Sequence, residues 1–326
     1  MKFAASPGRV CATVACVCAA VAVHAQDKPA GYPLRPIRLI VGVPAGAGND
    51  TVTRAAAQML SDAWAQTVVV DNRSGGGTVI SVEIGAQAPA DGYTILSATD
   101  TLMLVGALKR VSFDVRKVFE PIVVMTTQPY ILVVEPALPA KSVKDLIAYS
   151  KTKTLSYGSS GIGTMVHLGM ERLAALSGGH FAHVPYKGTA PALIGVMSGE
   201  INMVPASAIS ASAAMKTGKV RAIAVMGLKR VAAYPDLPTV EEAGFPGFKI
   251  VNAYNLFAPA GTPRGIIRAI NRVVTDGMNA PAMVQKLAAD GSEPGERLTP
   301  DEFKTQFARE YAEVAKQVSD SKIKLY

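Results

Sequence analysis

The sequence predicts an α/β protein of two lobes, each built on a mainly parallel sheet. Apolar runs of strand length alternate with helical stretches from residue 36 onward, the alternation pauses after residue 97, and it resumes at Ile131. A length of 326 residues fits about two domains at roughly 100–200 residues each. Strands separated by helices pair in parallel, because a chain that crosses back over a helix re-enters the sheet in the same direction.

The first strand is expected over 36–43, where Ile37, Leu39, Ile40, Val41 and Val43 form the near-continuous apolar run of a strand covered on both faces. Small residues then lead to a helix beginning near Asp50. A strand at 67–70, a helix at 81–88 and a strand at 93–97 follow, the last entered through the turn Pro89-Ala90-Asp91-Gly92. The second series has strands at 131–134, 155–158, 180–184, 202–205 and 221–226, with helices at 143–150, 164–176 and 190–197 among them. Pro259-Ala260-Gly261-Thr262-Pro263 breaks the chain before helices at 266–278, 281–289 and 300–318. The last helix opens with Thr299-Pro300-Asp301-Glu302: a cap, a proline in the first turn and acids at the positive dipole end. The expected division is residues 26–127 with 249–326 in one lobe and 128–248 in the other, with crossings near 125–131 and 248–257.

Residues 1–25 read as a signal peptide. Lys2 and Arg9 precede the uncharged stretch 10–23, and Val23-His24-Ala25 supplies compact residues for cleavage after Ala25. The stretch is too short to span a bilayer, which takes about 20 residues. Cys11, Cys16 and Cys18 are the only cysteines, so the exported chain holds no disulfide, no thiol nucleophile and no cysteine zinc site. Loss of Lys2 and Arg9 leaves 31 basic against 25 acidic side chains. The basic residues are scattered rather than clustered with aromatics, which argues against nucleic acid, while the mild positive field favours an anionic ligand.

Loops at the carboxyl ends of the strands carry the candidate chemistry, since ligands of open α/β sheets gather there. In Pro44-Ala45-Gly46-Ala47-Gly48-Asn49-Asp50-Thr51, small residues let main-chain N–H groups approach an anion at a helix start. It lacks the third glycine of a dinucleotide fingerprint and the Gly-Lys-Ser/Thr of a P-loop, and Asp50 also fits a simple cap. In Tyr157-Gly158-Ser159-Ser160-Gly161-Ile162-Gly163-Thr164, the hydroxyls of Ser159, Ser160 and Thr164 join the amides as donors. Pro185-Tyr186-Lys187-Gly188-Thr189 lies on the same edge, and Ala98-Thr99-Asp100-Thr101 adds an acid that reads equally as a helix cap or a ligand contact. No cofactor motif and no metal-ligand spacing occurs. His167, His180 and His183 form no metal motif, and 180 and 183 point to opposite faces of a strand. A secreted hydrolase using Ser159 or Ser160 with His167 or His183 is the enzymatic alternative, but the glycines do not flank either serine as a nucleophile elbow requires.

In register over nearly the whole chain, these segments resemble the Bug family, the extracytoplasmic solute receptors of tripartite tricarboxylate transporters. The resemblance is carried by Tyr32-Pro33 with Pro36-Ile37-Arg38-Leu39-Ile40-Val41; the Pro/Gly loop to Asp50 with Arg54; Val69-Val70-Asp71-Asn72-Arg73 and Gly75; Asp91-Gly92-Tyr93-Thr94; Tyr157-Gly158-Ser159-Ser160-Gly161; His183-Val184-Pro185-Tyr186-Lys187-Gly188; Leu237-Pro238-Thr239-Val240-Glu241-Glu242-Ala243-Gly244; and Ala258-Pro259-Ala260-Gly261-Thr262-Pro263. It implies a periplasmic binding protein fold, type II-like, working as a hinged clamp. It also implies a monomeric periplasmic receptor, not an enzyme, that hands a small organic carboxylate to membrane transporter subunits. An orphan sensor feeding a signalling partner is the alternative use of the same fold. The resemblance places Ala45, Gly46 and Ala47 on one side of the ligand and Ser159, Ser160, Gly163 and Thr164 on the other, with Tyr186, Lys187 and Gly188 near the cleft. Two segments depart from the family: its Pro-Pro-Gly-Gly becomes Pro44-Ala45-Gly46-Ala47-Gly48, and its Trp-x-Gly-Leu becomes Ala253-Tyr254-Asn255-Leu256. With Asp100, these departures predict a ligand that pairs a carboxylate with a donor or cationic group, such as an amino acid or a pyridine carboxylate.

Overall fold

The computed structural model describes Met1 and residues 29–289 and 291–320; the expected signal peptide, its cysteines and the cleavage after Ala25 lie outside the described residues. The apolar run Ile37–Val41 forms β1, with β2 (Val68–Asn72) and β3 (Thr94–Thr99) parallel to it on either side. Helix α1 (Gly48–Trp64) joins β1 to β2 and buries Val52, Ala56, Leu60 and Trp64, four residues apart and so on one face, with Ala57 beside them. A glycine turn at Gly76–Thr78 and helix α2 (Val79–Ala86) lead into β3, and α3 (Thr101–Ala107), α4 (Val115–Val118) and the long strand β4 (Phe119–Val134) follow.

The second series is α5 (Val143–Ser150), β5 (Leu155–Ser159), α6 (Met165–Ser177), β6 (Phe181–Pro185), α7 (Thr189–Met197), β7 (Met203–Ser207), α8 (Ala208–Met215) and β8 (Arg221–Val225). Strand β5 is parallel to both β6 and β7. The chain returns through β9 (Val251–Pro259) and closes with α9 (Arg264–Met278), α10 (Pro281–Ala289), β10 (Glu293–Pro294) and α11 (Pro300–Asp320).

All of this is one curled α/β sheet in the order β2-β1-β3-β9-β4-β7-β5-β6. The outer strands of each lobe are parallel, and the middle, where β9 meets β3 and β4, is antiparallel. Strand β4 belongs to both lobes: it pairs with β9 from Phe119 to Pro129, then with β7 and β8 from Tyr130 onward. The segments expected as plain crossings are therefore strands. Pro121, Pro129 and the polar run Thr126-Thr127-Gln128 argue against a strand from sequence, and shifts of register against β9 accommodate part of that stretch.

Each lobe has its own apolar core. Leu39, Leu60, Ile95, Leu256 and Ile270 pack between sheet and helices in the first, and Leu132, Leu146, Tyr157, Leu173 and Ile223 in the second. Fully burying each such Leu or Ile contributes about 1.5–3 kcal/mol. Helix α11, which comes last in sequence, seats Phe303 and Phe307 on Phe257 of β9, with ring centroids 5.7 and 5.2 Å apart. The chain's end thereby holds a strand at the junction of the lobes.

Candidate functional site

The carboxyl ends of the parallel strands of both lobes converge on a small polar cavity of about 30 Å³, room for about two water-sized atoms. That is the size of the two oxygens of a carboxylate. The start of α1 contributes Ala47, Gly48 and Asn49, while Thr78, Thr99 and Thr101 come from the turns beside β3. The second lobe adds Ser160, Thr189 and Ser207, and the floor is Tyr130, Asn252 and Tyr254 on the two strands at the junction. None of these lining side chains is a carboxylate, a lysine or an arginine. The first α1 amide with a partner in the helix turn is that of Thr51, which donates to Ala47 O at 3.0 Å. The N–H groups of Gly48, Asn49 and Asp50 thus leave the helix end, where its dipole adds partial positive charge. Asn252 Oδ1 is buried without a partner, and burial pushes the Tyr254 hydroxyl up to about 12, so it stays a neutral donor at the floor.

Asp50 builds the first loop rather than lining the cavity. Its carboxylate is 2% exposed and accepts from Gly46 N–H at 2.9 Å, from Arg54 Nε at 2.9 Å and from Asn72 Nδ2 at 2.8 Å. Asn72 Nδ2 also donates to Val43 O at 2.9 Å, which ties the loop to the end of β2. Burial alone would raise this carboxyl, but the bonds from Arg54, Gly46 and Asn72 outweigh it and hold it below the ordinary carboxylate range. Of the expected residues here, Ala47 lines the cavity, whereas Ala45 and Gly46 are exposed and the Gly46 amide is spent on Asp50.

The second loop is organised in the same way. Ser160 reaches the cavity, and its neighbours hold the loop's shape. Ser159 Oγ accepts from Gly161 N at 3.0 Å and lies 2.6 Å from His183 Nε2. Thr164 caps α6 and donates to Gly161 O at 2.9 Å, and Gly163 N–H donates to His167 Nδ1 at 3.1 Å. Tyr186 turns its hydroxyl to Glu200 Oε1 at 2.9 Å, Lys187 is exposed, and Gly188 packs against Pro44 of the first loop.

Residues 52–319 match the model of the tripartite tricarboxylate transporter family receptor. The chain belongs to that family. Protein BugT of Bordetella pertussis is 31% identical over 326 residues, covering 97% of this chain and 98% of BugT. Among solved structures, R. palustris Rpa4515 with adipate aligns at a TM-score of 0.84 and 31% identity, over 88% of this chain and 97% of that one. MatC (Rpa3494) from Rhodopseudomonas palustris with bound malate aligns at a TM-score of 0.83 and 26% identity, over 88% of this chain and all of that one. The resemblance to the Bug family is thus upheld, and with it the α/β periplasmic binding protein fold.

In this receptor the lobes touch across the cleft. Arg110, just past α3, donates from Nη1 to Ile162 O in the second loop at 2.5 Å. Beside it Gly161, at φ +128°, lies so close to Gly77 that a Cβ there would be 3.0 Å from the Gly77 Cα. The Arg110 bond exists only while the lobes are together, so it favours the closed state. Arg110→Ala is expected to weaken ligand binding about 10- to 150-fold, the worth of one charged hydrogen bond, without lowering the thermal midpoint of the ligand-free receptor by more than a few degrees. Calorimetric titration beside thermal unfolding checks both.

Asp100 stands apart from the cleft. Its carboxylate accepts from Ala253 N at 2.9 Å and Asn255 Nδ2 at 3.2 Å. It lines a different cavity, of about 300 Å³, with Phe303, Phe307 and Glu310 of α11. Alternation along β9 explains the separation: Asn252 and Tyr254 face the cleft, and Ala253 and Asn255 face the other side of the sheet. Thr99 and Thr101 reach the cleft while the acid between them turns away. This geometry places Asp100 on the face of the sheet away from the cleft, where a ligand in the cleft would not meet it, and the argument for a cationic group on the ligand loses that support. Asp100 and two residues of the departing segment 253–256, Ala253 and Asn255, are one hydrogen-bonded cluster.

Sequence reasoning passed over Thr78, Tyr130, Ser207 and Asn252. Ser207 carried a signal: it ends a strand and its hydroxyl caps the next helix, accepting from Ser210 N, the same strand-to-helix grammar as the loops that were singled out.

Proposed function

We propose that this protein is a periplasmic receptor that closes its two lobes over a small organic carboxylate and delivers it to a tripartite membrane transporter, acting as a monomer and without catalysis. The lobes are proposed as residues 26–127 with 249–326 and residues 128–248. One observation carries the reading: both lobes bring hydroxyls, and the first lobe the amides at the start of α1, with no charged side chain, to a cavity the size of a carboxylate head group. Neutral donors fixed in place bind an anion strongly when water is excluded, without the desolvation cost of a buried lysine or arginine. Adipate and malate in the two related structures support the ligand class. With Asp100 turned away, we favour a di-acid over an amino acid or pyridine carboxylate.

Ser159 and His183 are at the separation of a nucleophile and its base. Against a hydrolase, the serine is fully buried, its oxygen is bonded to Gly161, and His183 stacks on Tyr157 and His167. A thermal-shift screen and calorimetry with malate, adipate, glutamate and nicotinate test the proposal. A di-acid should raise the midpoint by mass action. Binding of glutamate or nicotinate with no response to either di-acid would overturn the ligand class.

A further inference from the structure

Beneath the second loop lies a cluster that the ligand reading leaves unused. His167 of α6 and His183 of β6 stack face to face, with ring centroids 4.0 Å apart and planes within 12°. Tyr157 stacks on the outer side of His183 at 5.0 Å and donates its hydroxyl to Glu171 Oε1 at 2.8 Å. The pair holds the loop at two points. His183 Nε2 is bonded to Ser159 Oγ where the loop leaves β5, and His167 Nδ1 accepts Gly163 N–H just before α6 begins. An imidazole that accepts a backbone N–H at Nδ1 carries no proton there; protonation would set N–H against N–H and break that anchor.

We propose that His167 and His183 are positioning residues for the anion loop: an uncharged stacked pair whose acceptor nitrogen and shape hold Ser159 through Thr164 in the form that presents Ser160 to the ligand. The inference rests on the carboxylate-receptor reading for its effect on binding, but its effect on the loop is independent of any ligand. The surroundings favour the neutral pair. Burial, then the neighbouring His167, pushes His183 down to about 4, and burial lowers His167 although Glu171 opposes it. The other groups facing the cluster are the Tyr157 hydroxyl and, across the loop, the Arg110 guanidinium. The unfolded chain takes up protons below the ordinary histidine value of 6.5 while the folded pair resists. The pair's support for the loop is therefore full at neutral pH and is lost as pH falls below that value.

The test uses the mature chain as wild type, His167→Phe, His167→Asn and His183→Gln, at pH 7.5 and 4.5. Amide exchange at Gly163 reports the loop, and calorimetry with malate and adipate reports binding. Phenylalanine keeps the ring and removes the acceptor. It should cut Gly163 protection and acid affinity about tenfold at pH 7.5, the worth of a buried hydrogen bond. Asparagine places Oδ1 near the position of Nδ1 and cannot titrate. It should stay within about twofold of wild type at pH 7.5 and exceed wild type at pH 4.5, a comparison at equal pH that cancels ionisation of the acid itself. His183→Gln keeps a partner for Ser159 and should behave like the asparagine variant. Gly163 protection in His167→Phe equal to wild type, or a His167→Asn chain as acid-sensitive as wild type, would overturn the proposal. If wild type binds neither acid, the carboxylate reading fails for these acids, and Gly163 exchange still decides the role of the pair.

Discussion

Gly48→Val should abolish carboxylate binding, with at least about a hundredfold loss of affinity, a deficit of about 2.7 kcal/mol or more. Gly48 is the first residue of α1 and lines the cavity between the lobes. A Cβ there would run into the Tyr254 hydroxyl and lie 2.5 Å from Ser207 Oγ. Tyr254 is 2% exposed and packed in the first lobe's core, so it cannot swing aside. Ser207 belongs to the second lobe, and a branched side chain at 48 would both fill the cavity and hold the lobes apart. Overpacking against Tyr254 costs about 1–3 kcal/mol of folding stability, less than a domain's total, so a folded, open receptor that does not bind is the expected product. Calorimetry with the acid that stabilises wild type, alongside circular dichroism, checks it; wild-type affinity in the variant would remove the start of α1 from the site.

How much of this could be read beforehand follows from what each segment does. The outer strands of both lobes are apolar because helices cover them, and β1, β5 and α5 lie within a few residues of where the pattern places them. The first part of β4 and all of β9 escaped because they carry polar residues inward: Tyr130, Asn252 and Tyr254 to the cleft, Asn255 to Asp100 and Gln128 to Ser292. Gln128, Tyr130, Asn252, Tyr254 and Asn255 are buried at the junction of the lobes, and a strand carrying Asn and Gln inward looks like a loop to a hydrophobicity argument. Local rules fail where function places polar groups in a core. The loops were identified correctly as strand-to-helix turns, but which residue faces inward is a property of three-dimensional folding. In the first loop Ala47 lines the cavity and Asp50 braces; in the second Ser160 lines it and Ser159, Gly163 and Thr164 brace. Asp100 could not be oriented from sequence, because the bonds that turn it away come from Ala253 and Asn255, far along the chain.

That division between presenting and bracing residues is sharpest at Asp50, where Asp50→Ala should cost about 2–4 kcal/mol of stability. The loss comes chiefly from the bonds of Gly46 N–H and Asn72 Nδ2 to the charged carboxylate, partly replaced by water, at about 1–2 kcal/mol each. The partner Arg54 is 52% exposed, and an ion pair open to solvent on one side adds little. For a chain of this size the midpoint should fall by about 5–10 °C, and affinity for the acid should fall with it, since the amides at the start of α1 are presented by the loop that Asp50 ties to β2. The pH dependence fixes the cause. Asp50 is held below its ordinary value of 3.8 in the folded protein, so its contribution is fully present above that value and drains away as pH falls through the lower folded one. The stability gap between wild type and Asp50→Ala should therefore be constant from neutral pH down to that ordinary value and close below it, as urea unfolding across the acid range would show. A gap that stays constant in acid would mean that the carboxylate's charge is not what braces the loop, and that lost packing alone accounts for the variant.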